Sequence, residues 1–149
     1  MTRRSPSSGE LRVLWARLSY QFTPKVANAL LNGKVEVEYG SRRRIRYVYL
    51  DGSLVLTLRP GDGLFSITMK AGEIIRKVEA PPRFRVIVRD GELKGSVFAK
   101  DVVGIDPQLR PGDEAIVVTE VDELVGVGRL RLPSYMLKGL QRGEIVRLK

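Results

Sequence analysis

The sequence contains neither cysteine nor histidine. The first absence excludes disulfides, thiolate nucleophiles and Cys-ligated zinc, and the second removes the commonest metal ligand and the usual proton shuttle of neutral pH. Catalysis would have to rest on Asp, Glu, Lys, Tyr and Ser, and none of these forms a recognisable catalytic motif. Gly-x-x-x-x-Gly-Lys-Ser/Thr is also missing, so no P-loop nucleotide site is expected. No apolar stretch approaches the roughly 20 residues that cross a bilayer. The opening Met1-Thr2-Arg3-Arg4-Ser5-Pro6 lacks the apolar run of a signal peptide. The absences together predict a cytoplasmic protein with no membrane partner, no metal and no small-molecule cofactor.

What is present is positive charge. Of 149 residues, 26 are Lys or Arg and 17 are Asp or Glu, a net charge of +9. The excess is uneven: residues 1–80 carry +7 and residues 81–149 carry +2. Arg outnumbers Lys by 18 to 8, and a guanidinium can hold a phosphate through two donors or stack on a base. A polyanionic partner is the first physical inference, because neutralising phosphates releases counterions. A basic surface laced with ion pairs is the competing account.

Residues 1–10 read as a polar, basic arm. Leu11, Leu14, Trp15, Leu18 and Phe22 then recur at helical spacing, predicting a core-facing helix with Trp15 inside. Thr23-Pro24 caps and starts a second helix, which Asn32-Gly33 ends. From Lys34 the period becomes two, giving strands through Val35–Tyr39 and Arg44–Tyr49, with Tyr47 and Tyr49 expected to pack inward. Asp51-Gly52 and Gly61-Asp62-Gly63 mark further turns, so a four-stranded antiparallel meander is expected, then a last helical turn over Ala71–Arg76. Pro81-Pro82 marks the boundary between a domain at 11–80 and one at 81–149. In the second, strands are expected at 83–88, 97–103, 114–119, 124–132 and 144–148, with a short helix over 133–140. Five strands in so short a segment should curl into a closed or nearly closed barrel.

The segments Ser96-Val97-Phe98-Ala99-Lys100-Asp101-Val102-Val103, Arg110-Pro111-Gly112-Asp113-Glu114 and Asp122-Glu123-Leu124-Val125-Gly126-Val127-Gly128-Arg129 follow one another as strand, tight turn, strand, acidic turn and Gly-rich strand. That order resembles the PUA domain, the small RNA-binding barrel of tRNA- and rRNA-modifying enzymes. Upstream, Tyr20-Gln21-Phe22, Ser41-Arg42-Arg43, Arg46-Tyr47-Val48-Tyr49-Leu50-Asp51-Gly52 and Leu58-Arg59-Pro60-Gly61-Asp62-Gly63-Leu64-Phe65 resemble the domain that precedes the PUA module in archaeal archaeosine tRNA-guanine transglycosylases. The resemblance covers nearly all the chain after its first ten residues, and its specificity lies in the ordered set. It implies an α+β N-terminal domain of two short helices and an antiparallel sheet, followed by a mainly-β, PUA-like pseudo-barrel. Nothing of that family's catalytic barrel, with its aspartate nucleophile and zinc ligands, is found, so activity does not carry over. The implied role is recognition of structured RNA, a tRNA acceptor end first, in RNA modification or translation.

The resemblance also implies an RNA groove bordered by Lys94, Gly95, Ser96, Val97, Phe98, Ala99 and Lys100, and by Arg142, Gly143, Ile145 and Arg147. Phe98 reads first as a core residue of a half-buried strand and second as a base-stacking one. The family has a full helix before the Gly turn, and Asp90–Lys94 is too short for it, which implies a missing or rebuilt groove wall. Independently of family, Arg42, Arg43, Arg44 and Arg46 with Arg59 form the densest positive charge and a candidate backbone-tracking patch; a solvated hairpin tip is the plain alternative. Gly126-Val127-Gly128-Arg129 lies within a strand pattern and reads as barrel-bend glycines rather than a nucleotide loop. Asp51, Asp62, Asp106, Asp113, Asp122 and Glu123 read as solvated turn residues. Two rival accounts remain: an accessory subunit of a separately encoded RNA-modifying enzyme or ribosomal particle, and an Asp/Glu-based hydrolase.

Overall fold

In the computed structural model, residues 2–89, 93, 95–133 and 143–149 are described, and they form two compact units, Met1–Val78 and Glu79–Lys149. The first unit runs α1 (Ser8–Gln21), α2 (Pro24–Leu30), β1 (Val35–Tyr39), β2 (Ile45–Leu50), β3 (Ser53–Leu58), β4 (Phe65–Ile67) and α3 (Met69–Val78). Its strands pair in chain order as an antiparallel meander. α1 starts inside the segment expected to be an arm, because Ser7 and Glu10 form a reciprocal capping box. Arg4 ties the preceding residues down by exchanging two backbone hydrogen bonds with Val37, at 3.0 and 2.7 Å. Arg3 stacks over the Tyr49 ring at 3.7 Å. The Thr23 hydroxyl caps α2, with Pro24 in the first turn.

The register sets which strand residues face the core. Val37 lies opposite Val48 and Val48 opposite Leu56, so these side chains share one buried face. Tyr47 and Tyr49 therefore sit on the other face beside Glu36 and Glu38; Tyr49 is buried there, under Arg3, whereas Tyr47 is only half-buried. α3 covers β3 and β4, and α2 packs between α3 and α1. On α1 the apolar stripe divides. Leu14, Leu18 and Phe22 are buried, whereas Leu11 and Trp15 stay exposed, with Trp15 41% accessible. Seven-residue α2 is about 10 Å long against about 21 Å for α1, too short to cover the whole stripe.

The second unit runs β5 (Arg85–Val88), β6 (Ser96–Phe98), a 3₁₀ turn (Ala99–Asp101), β7 (Val102–Ile105), β8 (Glu114–Thr119), β9 (Leu124–Leu130) and β10 (Glu144–Leu148). The single strand expected over 97–103 is two. The Asp101 carboxylate accepts from the Phe98 backbone N–H at 3.1 Å and closes the 3₁₀ turn between them. The sheet order is β6-β10-β9-β8-β5-β7, so the two edge strands are consecutive in the chain. Three linking residues reach about 10 Å, and the sheet must therefore curl into a half-barrel that brings its edges together. A Cβ on Gly128 would lie 2.3 Å from the Arg147 carbonyl oxygen. This close approach of β10 accounts for the glycine in structural terms.

Two acidic residues expected to be solvated turn groups serve the interior instead. Asp106 is 1% exposed and accepts from the Phe84 and Gln108 backbone N–H groups and from Arg83. Asp122 holds the fully buried Arg85 through two bonds of 2.6 and 3.1 Å. The helix expected over 133–140 falls outside the described residues from 134 onward. Among the described residues no helix is long and apolar enough to cross a membrane.

Candidate nucleic-acid interface

The β1–β2 turn distributes its arginines. Arg43 adopts a left-handed backbone conformation, φ 53°, and the chain direction changes there. Arg42 lines one cavity, Arg43 lines a second, and Arg44 reaches both. The first cavity, of about 440 Å³, gathers Arg42, Arg44, Arg46 and Arg59 over Leu58 and the Gly40 backbone, with no carboxylate among the described residues of its lining. Arg46 and Arg59 are held in place: Arg46 Nε donates to the Tyr47 hydroxyl at 3.3 Å, and the buried Arg59 side chain pairs with Asp62 at 2.9 Å. Four of the five arginines singled out from the sequence thus converge, and Arg43 faces the adjoining space. The guanidinium forks of Arg42, Arg44 and Arg46 around one opening suit an anionic, oxygen-rich group such as a phosphodiester, whereas the Arg59 guanidinium is buried on Asp62.

The second unit brings together the two segments expected to border an RNA groove. β6 pairs with β10 in a register that sets Phe98 against Glu144, Val97 against Val146 and Ser96 against Arg147. Gly95, at φ 72°, turns the chain into β6, and its surroundings are open. The conformation itself calls for glycine there. Val97 and Ile145 are core residues and offer no side chain to a ligand. Phe98 is 39% exposed, which reverses the first reading of it as core. Lys100 is exposed and Ala99 half-buried. Gly143 precedes β10 and accepts from the Ala99 N–H. Lys94 and Arg142 lie outside the described residues, as do Asp90, Gly91 and Glu92.

Sequence reasoning missed Glu144, the hub of this edge. One of its oxygens accepts from Ser96 Oγ at 2.6 Å, and the other faces Arg131 at 3.1 Å and Arg147 at 3.4 Å. The Ser96 hydrogen bond, aided by the two arginines, holds its carboxyl below the ordinary value of 4.5. Part of the positive charge at this edge is thereby balanced. The cross-strand register that assembles the group is invisible in a single sequence. Among the described residues no cluster of three potential metal-ligating side chains occurs.

Comparison with known proteins matches residues 12–82 to the patch-forming domain C2 of tRNA-guanine transglycosylase and residues 85–149 to the PUA domain. Among curated proteins, the chain is 33% identical to the tRNA-guanine(15) transglycosylase of Pyrococcus abyssi, over 93% of this chain and 24% of the relative. It is 34% identical to that of Thermococcus kodakarensis, over 99% of this chain and 26% of the relative. The chain thus spans about a quarter of the length of these relatives. Among solved structures, a hypothetical protein of Pyrococcus horikoshii aligns with a TM-score of 0.74 at 20% identity, covering 99% of this chain and 93% of that one. A conserved PUA domain protein of Thermoplasma acidophilum aligns at 0.69 and 20%, covering 99% and 92%. At that identity the two structures bear on the fold.

Proposed function

The chain is a C2 patch-forming domain followed by a PUA domain, homologous to the C-terminal region of archaeal tRNA-guanine(15) transglycosylases, and from that premise we propose that it binds structured RNA, tRNA first, without itself catalysing a reaction. The observation that carries the reading is the convergence of Arg42, Arg44 and Arg46 on one cavity, whose lining Arg59, held by Asp62, completes. These arginines supply phosphate contacts, which position an RNA without reading its sequence. The β6–β10 edge, with exposed Phe98, Gly95, Lys100 and Arg147, takes unpaired nucleotides at the acceptor end, where stacking gives selectivity. Lys94 and Arg142 belong to the same proposed groove by position in the sequence.

The test is fluorescence anisotropy with intact tRNA, tRNA trimmed of its single-stranded 3′ end, and duplex DNA, each over a salt series. Tighter binding to intact tRNA that survives moderate salt and falls on trimming is the expected result. Equal and steeply salt-dependent binding to all three would reduce the arginines to generic charge and sink the acceptor-end reading.

A second reading, an accessory subunit docking on a separately encoded RNA-modifying enzyme, draws on the groove between α1 and α2. There exposed Trp15 and Leu11 are flanked by Arg12 and Lys25, with no carboxylate among the described lining residues. Such a surface suits an acidic, partly apolar face of that enzyme. RNA affinity that appears only when the enzyme is present would favour it.

A further inference from the structure

Beside the arginine cavity lies a second one of about 400 Å³, sharing Arg44 and Leu58 with it. Its chemistry differs. Leu14, Leu58 and Phe65, all buried, and half-buried Ile45 give it an apolar floor. Tyr39 and Val13, 37% and 54% exposed, stand at its edge. Arg17, Arg43 and Arg44 complete the lining as its cations. Its one carboxylate, Glu10, is fully engaged: it takes two bonds from Arg4, at 2.8 and 2.7 Å, one from the Ser7 backbone N–H, and one from the Tyr39 hydroxyl.

Those contacts also fix the aromatic ring. Tyr39 is held at its hydroxyl by Glu10 and carries the Arg4 guanidinium 4.5 Å from its ring centroid. A ring fixed before binding loses little entropy when a flat ligand stacks on it. An apolar floor with one preorganised aromatic, rimmed by cations and continuous with a phosphate-binding cavity, is what a single nucleotide presents in complement: a flat base between charged phosphates. A volume near 400 Å³ lies within the range of sites that enclose small molecules, about 300–1,000 Å³.

We infer that this cavity receives one unpaired nucleobase of the bound RNA, stacked against Tyr39, with its flanking phosphates on Arg43 and Arg44 and in the adjoining arginine cavity. The inference rests on the RNA-binding reading and adds a base subsite in the first unit, separate from the PUA edge. The split of three consecutive arginines at the left-handed Arg43 gives the two subsites their phosphate ligands from one turn. The lining holds no arrangement of donors and acceptors matched to one base edge, so insertion, rather than base identity, is read.

The probe is an RNA hairpin with a single-nucleotide bulge carrying 2-aminopurine, set against the same hairpin fully paired. The bulged RNA is expected to bind about tenfold more tightly, the scale of one stacked base, with a change in 2-aminopurine emission on binding. V13W, which fills the cavity from its exposed rim, should bring the bulged RNA to the affinity of the paired one and abolish the emission change. Tyr39→Phe, which keeps the ring but loses its tether to Glu10, should retain a reduced preference and Tyr39→Leu should lose it. Equal binding of both RNAs by the native protein, or a preference that survives V13W and Tyr39→Leu, would overturn the base subsite while leaving RNA binding intact. Absence of binding to either RNA at low salt would refute the RNA-binding reading itself, and the subsite with it.

Discussion

Gly40 and Arg46 make a pair whose importance lies in space. A Cβ at Gly40 would meet Arg46 Cδ at 2.8 Å and Cβ at 3.0 Å, so the arginine lies directly over the bare backbone. Gly40→Ala should displace Arg46 from the cavity and lessen the salt dependence of RNA binding by up to about one unit of slope, the value of one phosphate contact. An unchanged slope in a salt titration would show that Arg46 makes no such contact. In the second unit, Asp122→Asn removes the carboxylate that takes two bonds from the fully buried Arg85. A cost of about 3–5 kcal/mol in urea denaturation is expected, and a change under about 0.5 kcal/mol, the scale of neutral surface changes, would refute that role. Both roles were hard to read in the sequence. Asp122 sits in a turn composition that fits solvent equally well, and Phe98 alternates like a core residue yet ends at an open edge. Residue type and period report local conformation, whereas exposure depends on what packs opposite.

Elements were more legible where their signals are local. Thr23-Pro24 located the start of α2, and the period-two run located β1 and β2, because caps and pleat alternation belong to neighbours in sequence. The break between β6 and β7 was missed because the Asp101 side chain, not a Gly or Pro, closes the turn. The start of α1 was missed too, although Ser7 and Glu10 stand in capping-box spacing. That cap has a pH signature. Arg4 above all, then the Ser7 N–H and Tyr39, holds the Glu10 carboxyl far below its ordinary 4.5. A group whose folded value is depressed contributes stability that is complete above its unfolded value and is lost as pH falls below it. The Ser7–Glu10 cap and the Arg4 tether should therefore be intact at pH 7 and weaken progressively below about pH 4.5. Protection factors at the first amides of α1, referred to the intrinsic exchange rate at each pH, should fall on acidification below about pH 4.5, and Glu10→Gln should lower them at pH 7. Protection factors that stay constant on acidification would contradict the assignment of Glu10 as the anchor.

For the molecule as a whole, the charge imbalance between its halves, +7 against +2, predicts that the first unit carries most of the electrostatic affinity. Replacing Arg42, Arg44 and Arg46 together by Gln should cut the slope of log affinity against log salt by about 2–3 units, at 0.7–0.9 per phosphate released. The corresponding change at Lys100 and Arg147 should cut it by less, since Glu144 already balances part of that edge. The domain family was legible because it rests on an ordered series of segments; the sites were legible only as far as charge density and family position reach, since the cavities arise from register. The three-residue link between β6 and β7 bears on how the second unit opens. It acts as a clasp: the outermost strands cannot peel away one at a time, because loosening either pulls on the other. Amides of β6 and β7, at opposite ends of the hydrogen-bond ladder, should exchange with solvent in one concerted event, so that the barrel yields as a ring rather than as a zipper.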